Sequence, residues 1–108
     1  MKNHNKEIPK SFMLGGIHYK TVFKDIVISI NEENEVQVGG ISDGVETTIE
    51  IASKVDESIC SSDYQRQTFY HELVHQILDI LGEELSADEE FVQRFSVLLD
   101  QFEQTKKF

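Results

Sequence analysis

The sequence predicts an α+β domain, a small N-terminal β-sheet followed by two packed helices. Three observations lead there. The first half carries short β-prone runs separated by turn residues, the apolar spacing changes to a helical one after Ser62, and Gly82 interrupts that second pattern once. A chain of 108 residues is enough for one core.

Residues 1–12 read as a flexible polar leader that contains the only proline, Pro9, and residues 13–108 as the domain. Gly15-Gly16 should break any preceding element, so folding is expected to begin near Ile17. Ile17 to Phe23 reads as the first strand. In Asp25 to Ile30, Ile26, Ile28 and Ile30 share one face, either continuing that strand or opening another before the turn-like Asn31 to Asn34. Val36 to Ile41 and Thr47 to Ala52 read as a hairpin around Ser42-Asp43-Gly44.

The first helix should be capped by Ser61 or Ser62 and stopped by Gly82. A helical wheel puts Phe69, Leu73, Val74, Ile77 and Leu81 on the buried side and Thr68, His71, Glu72, His75 and Asp79 on the other. The second helix should start after Ser86 as cap and turn Phe91, Phe95, Leu98, Leu99 and Phe102 inward as its apolar face.

Composition narrows the function classes. Twenty acidic against ten basic residues give a formal charge of -10, which repels a phosphate backbone, so nucleic acid is not an expected partner. No apolar run approaches the roughly 20 residues that cross a bilayer, and residues 1–10 lack the apolar centre of a signal peptide. The single Cys60 cannot form an internal disulfide, which agrees with a reducing compartment, and the expected location is the cytoplasm.

The chemistry is concentrated in His71-Glu72-Leu73-Val74-His75. Residues four apart on a helix lie one turn apart on the same face, so both imidazoles can point at one metal ion, with Glu72 beside them and free of ligation. Two neutral imidazoles suit zinc, whose charge lowers the pKa of a water towards about 7, and a neighbouring glutamate can take its proton as the water attacks a carbonyl. Chance produces such an HExxH run about 0.02 times in a chain of this composition, and half of the four histidines fall inside this one window.

A catalytic zinc normally takes three protein ligands and leaves one position open. Asp79 is local but a further turn away, so it fits better as an orienting group for His75 or as an exposed carboxylate. Asp88, Glu89 and Glu90 open the next helix, where acidic residues also suit the helix dipole and Ser86 with Glu89 fits a capping box. Periodicity does not separate Glu89 from Glu90. For oxyanion stabilisation, Tyr70, Tyr64, Tyr19, His18 and Arg94 are candidates, since no His or Tyr follows His75. Cys60 reads as a small structural cysteine ahead of an inhibitory thiolate ligand.

YHELVHQILDILG (Tyr70 to Gly82) and DEEFVQRFSVLL (Asp88 to Leu99) resemble the small HExxH metallopeptidase-like proteins encoded by bacteriophages and prophages of low-GC Gram-positive bacteria. Their second helix typically carries an NE-x-F-V-type run. LGGIHYK (Leu14 to Lys20) is similar to their opening strand, while Asp25 to Val55 shows little likeness. The layout is similar to the minimal glutamate-zincins, the minigluzincins, in which a sheet precedes the active-site helix and a glutamate helix follows. The resemblance implies zinc held by His71, His75 and Glu89, with Glu72 as general base. Asp88 stands where the pattern often has Asn, which keeps it as a competing carboxylate.

The expectation is therefore a zinc-dependent metallopeptidase acting on a peptide or protein substrate. In zincins an extended peptide commonly lies along the edge strand, expected here to be Thr47 to Ala52. The other reading is a zinc-stabilised binding or regulatory module with little turnover, which has no need of Glu72. The acidic charge either attracts basic target peptides or serves solubility alone.

Overall fold

A computed structural model describes residues 7–108. Strand β1 (Ser11–Leu14) turns through Gly15 and Gly16, whose φ values of +57° and +80° make a two-residue hairpin, into β2 (Ile17–Lys24). β3 (Val27–Asn31) and β4 (Asn34–Val38) pair only with each other, as an antiparallel ribbon. β5 (Gly40–Asp43) and β6 (Thr48–Ala52) form a hairpin, but not with the expected bounds: the run Val36 to Ile41 is split between β4 and β5, and Ser42 and Asp43 are paired strand residues, so the turn is 44–47, held by Asp43, which accepts from the N–H groups of Val45 and Glu46. The short pair β7 (Lys54–Val55) and β8 (Ser58–Ile59) leads into helix α1 (Ser62–Ile80). A 3₁₀ turn (Glu84–Ala87) then precedes helix α2 (Glu89–Thr105).

The main sheet has the order β1-β2-β6-β5, with β2 and β6 parallel and the outer pairs antiparallel. α1 packs on β5 and β6, and α2 packs on α1. This is the α+β arrangement the periodicities predict. Ile8, Ile49, Ile51 and Phe69 form the core, with Phe12, Phe23, Tyr70 and Leu73 packed around it. Phe12 stacks on Tyr19 with centroids 5.5 Å apart and meets Phe69 edge-on at 5.6 Å. Two buried polar groups tie helix to sheet: Tyr19 Oη donates to Gln76 Oε1 at 2.8 Å, and Gln65 Nε2 donates to the Ala52 carbonyl at 2.9 Å.

Five further expectations about the fold need correction. Structure begins before Ile17, because Gly15-Gly16 is a hairpin turn and not a break; Ile8 is buried in the core and β1 starts at Ser11. The part of the expected leader at residues 1–6 lies outside the described residues. Thr48–Ala52 is a central strand, flanked by β2 and β5, so the edge beside α1 is β5. Its residues explain this: Ile49, Ile51 and Ala52 are all fully buried, which needs cover on both sides. In the β3–β4 ribbon the isoleucine face carrying Ile28 and Ile30 is exposed and Val27 is the buried anchor, because that ribbon stands apart from the main sheet.

The helices supply the other two corrections. α1 ends as predicted at Gly82 (φ +70°), with Glu83 N–H donating to the Leu78 carbonyl and Gly82 N–H to that of Asp79. Leu81 is nevertheless exposed, because it follows the last helical residue. On α2, Phe95, Leu98 and Phe102 face solvent, while Val92, Ser96 and Asp100 face α1. The reason lies on the neighbouring helix. Arg66 of α1 is buried and needs a carboxylate, and Asp100 supplies it at 2.7 Å from Nε and 3.3 Å from Nη2.

Arg66 Nη1 also reaches Glu7 and Asp63, each at 2.8 Å, and the hydrogen bond it donates to Asp100 is the chief cause holding its pKa above the ordinary arginine value. The Arg66 and Asp100 side chains are only 10% and 6% exposed, so removing one partner strands a charge. Asp100→Ala is expected to cost about 3–5 kcal/mol, read as a lower urea midpoint. Asp63 is 78% exposed, and Asp63→Ala should cost no more than about 1 kcal/mol.

Candidate metal centre

α1 is set by its cap, Ser61 Oγ accepting from Tyr64 N–H at 3.0 Å, and from there its pitch brings His71 and His75 onto one face. Their ring centroids lie 4.9 Å apart. The third group comes from the first residue of α2. Glu89 Oε1 stands 2.9 Å from His71 Nε2 and 3.1 Å from His75 Nε2, and the three residues' donor atoms all lie within 4.8 Å of one another. Among the described residues this is the one group of three or more His, Cys, Asp or Glu side chains with metal-holding geometry.

The competing carboxylates are placed elsewhere. Asp88 is the cap of α2, its Oδ1 accepting from Phe91 N–H at 3.0 Å, so Ser86 does not cap that helix. Glu90 lies 82% exposed beside Arg94 at 3.7 Å. Asp79 stays exposed, a turn beyond His75, and borders a cleft without joining the ligand group. Cys60 is buried just before α1, and burial pushes its thiol pKa up.

Sequence reasoning missed three supporting side chains. Gln93 Oε1 lies 2.8 Å from His71 Nδ1, one turn after Glu89 on the same face of α2. Its i+4 spacing from Glu89 was the available signal. Ser86 donates its hydroxyl to the His75 carbonyl at 3.2 Å, with its oxygen 3.4 Å from His75 Nδ1. Ser42 of β5 donates to Glu72 Oε1 at 2.8 Å. Nothing local in the sequence links Ser42 or Ser86 to the motif, because the sheet and the 3₁₀ turn bring them there.

These partners test whether the donors suit a cation. A neutral His71 that donates from Nδ1 to Gln93 turns its Nε2 lone pair at the Glu89 carboxylate, an arrangement that a cation between them relieves. Tetrahedral zinc with ligand bonds of about 2.0–2.1 Å needs donors about 3.3 Å apart, and the observed 2.9 and 3.1 Å need only slight widening. The group is compatible with a metal site. Burial draws the Glu89 pKa upward, but the hydrogen bonds and charges of His71 and His75 outweigh it and hold the group below its ordinary value.

Glu72 has a different environment. Burial raises its pKa, partly offset by the Ser42 hydrogen bond and by His75 and His71. It lines two clefts. One, of about 250 Å³, runs past Gly40, Tyr64, Thr68, His71 and Gln93; the other, of about 520 Å³, runs past Ile41, His75, Asp79 and Glu84. β5 forms their shared wall. It comes so close to α1 that a Cβ at Gly40 would stand 2.8 Å from Thr68 Cγ2 and 2.6 Å from the Glu50 carbonyl oxygen.

Of the oxyanion candidates, Tyr64 borders the first cleft. Tyr19 is buried against Gln76, Tyr70 packs against Phe69, His18 sits opposite Met13 in the β1–β2 hairpin, and Arg94 lies beside Glu90. Replacing Gln93 with alanine should lower zinc affinity about 10- to 100-fold by freeing the His71 ring. Chelator competition would measure this, and an unchanged affinity would show that Gln93 does not orient His71. Comparison of the chain with protein-family models, curated proteins and solved structures finds no match.

Proposed function

We propose that the protein is a zinc-dependent metallopeptidase in which His71, His75 and Glu89 hold the ion and Glu72 is the general base. The observation that carries this reading is the convergence of two imidazoles and a carboxylate from two helices, with a further half-buried carboxylate beside them and outside the ligand group. Bound there, zinc would polarise a peptide carbonyl and lower the pKa of a water towards about 7. Glu72 takes the proton of the attacking water and returns it to the leaving amine nitrogen. Ser42 fixes the carboxylate for that transfer, while Gln93 and Ser86 hold the imidazoles.

The substrate in this reading is an extended peptide or protein segment lying along β5, the edge strand beside α1. The clefts on either side of Glu72 leave room for side chains flanking the scissile bond. Among the described residues no helix is long and apolar enough to cross a membrane. We place the activity in the cytoplasm, in a protein of the phage or prophage kind.

One observation favours a second reading. Four of the five oxyanion candidates, Tyr19, Tyr70, His18 and Arg94, lie away from the clefts, and a zinc-stabilised binding module would need no such donor. The two separate experimentally. Zinc-loaded protein is incubated with a diverse peptide library and cleavage is read by mass spectrometry. The peptidase reading expects cuts that stop on chelation and return with zinc; a library left intact by a fully zinc-loaded protein rejects it in favour of the binding module.

A further inference from the structure

The strongest unassigned feature is the outer face of α2. Phe91, Phe95, Leu98 and Phe102 recur at spacings of four, three and four residues, which is the seam spacing of paired helices. Phe95, Leu98 and Phe102 are 51%, 66% and 59% exposed, and the Phe91 and Phe95 rings lie 5.9 Å apart. The face turned to α1 carries Val92, Ser96 and Asp100 instead. Residues at 100° intervals place the exposed stripe roughly opposite that face and well away from Glu89 and Gln93. A contiguous apolar stripe of this kind on a charged, acidic chain marks an interaction surface.

The occupant follows from symmetry and charge. Read from either end, the stripe has aromatic residues at both extremes and bulky apolar residues between, so an antiparallel copy sets Phe91 against Phe102 and Phe95 against Leu98. A groove of about 490 Å³ is lined by Phe91, Phe95 and Leu98 together with Asp88, Glu90 and Arg94, and in such a pairing the opposing Phe102 would enter it. Lys106 lies at the other end of the same flank, its Nζ 5.9 Å from the Phe102 ring centroid and 2.7 Å from Glu103 Oε1, a pairing that the end contact with Asp88 would share or replace. A two-fold axis across the middle of the helix brings Lys106 of each copy to Asp88 of the other. It also sets each helix start against a helix end, where the dipoles attract.

We propose that the chain forms an antiparallel homodimer through the outer face of α2, with Phe91, Phe95, Leu98 and Phe102 as the seam and Asp88–Lys106 pairs closing both ends. The exposed parts of the three most open side chains supply on the order of 100 Å² each per copy. Over the two copies that is roughly 600 Å² before the flanks are counted, below the roughly 1,200 Å² of stable specific interfaces, so the dimer is a weak and reversible one. The net charge of -10 opposes association at a distance, but salt screens it over about 8 Å under physiological conditions. The metal centre stays open in this dimer, and the proposal holds whether or not the chain cleaves peptides.

Sedimentation equilibrium of the 108-residue chain tests it. The mass should rise from 12.4 kDa towards twice that value with concentration, and a chain that stays at 12.4 kDa up to about 500 μM overturns the proposal. Leu98→Glu combined with Phe102→Glu alters exposed positions, so the variant should remain folded by circular dichroism and retain zinc. Its dimer affinity should fall at least about 100-fold, and an unchanged affinity rejects this face. The antiparallel pairing is tested by Lys106→Glu with Lys107→Glu against Lys10→Glu with Lys20→Glu, which change the net charge equally. The first pair should weaken the dimer at least about 10-fold more than the second, and equal effects reject the end pairs.

Discussion

Glu72→Gln is expected to leave a folded, zinc-loaded protein whose peptide hydrolysis is reduced by about 10²- to 10⁴-fold, the usual worth of general-base catalysis. The amide keeps the size of the carboxylate and can still accept from the Ser42 hydroxyl, so the packing between α1 and β5 survives. Zinc content should be unchanged, because the ligand group consists of His71, His75 and Glu89. The amide cannot accept the proton of the attacking water at neutral pH, and that is the step removed. Paired measurements of metal content and cleavage rate check this. A Glu72→Gln protein that cuts as fast as the wild type would remove the residue from catalysis, and one that loses its zinc would make it structural.

A second large effect is expected at the start of α2. Glu89→Gln should weaken zinc binding well beyond the roughly 10- to 100-fold expected for a supporting residue such as Gln93, because it removes the negative charge from the ligand group. Glu90→Gln should leave affinity nearly unchanged, since that side chain is 82% exposed and faces Arg94. Asp88→Asn is the matched control. Asparagine caps a helix about as well as aspartate, so α2 keeps its start and the metal affinity should hold. Chelator competition on the three variants ranks them, and a larger loss at Glu90 or Asp88 than at Glu89 would show that the wrong carboxylate has been assigned. His71→Ala and His75→Ala should each lower affinity by orders of magnitude, at an expected stoichiometry of one zinc per chain.

Part of the site is local and therefore legible in the sequence. His71, Glu72 and His75 need only a helix, and the helical pitch decides that the two imidazoles share a face. The Gly82 stop is equally local, since a left-handed residue at that point ends a helix wherever it packs. The choice among Asp88, Glu89 and Glu90 is different in kind. It depends on where α2 begins relative to α1, and the cap at Asp88 sets that origin: with Asp88 bonded to Phe91 N–H, the next residue is the one that points at the histidines.

The direction of the α2 stripe was the least legible feature. Amphipathic periodicity says that a helix has an apolar face, and it says nothing about which side the neighbour lies on. Here Arg66, buried on α1, draws Asp100 inward and leaves the aromatic stripe outside. The edge strand was hidden for a related reason. Strand order is a matter of non-local pairing, and β2 inserts beside β6 in parallel across the intervening β3, β4 and β5.

By itself, then, the sequence determined the fold class, the helix carrying HExxH and the residue types able to bind a metal, because periods, caps and turns act within a few residues. The tertiary structure alone decided that Ser42 reaches Glu72, that Gln93 and Ser86 brace the imidazoles, that β5 is the edge beside α1 and that α2 turns its aromatic stripe outward. Each of these depends on contacts between segments distant in the chain, where one buried ion pair or one strand pairing outweighs the local pattern.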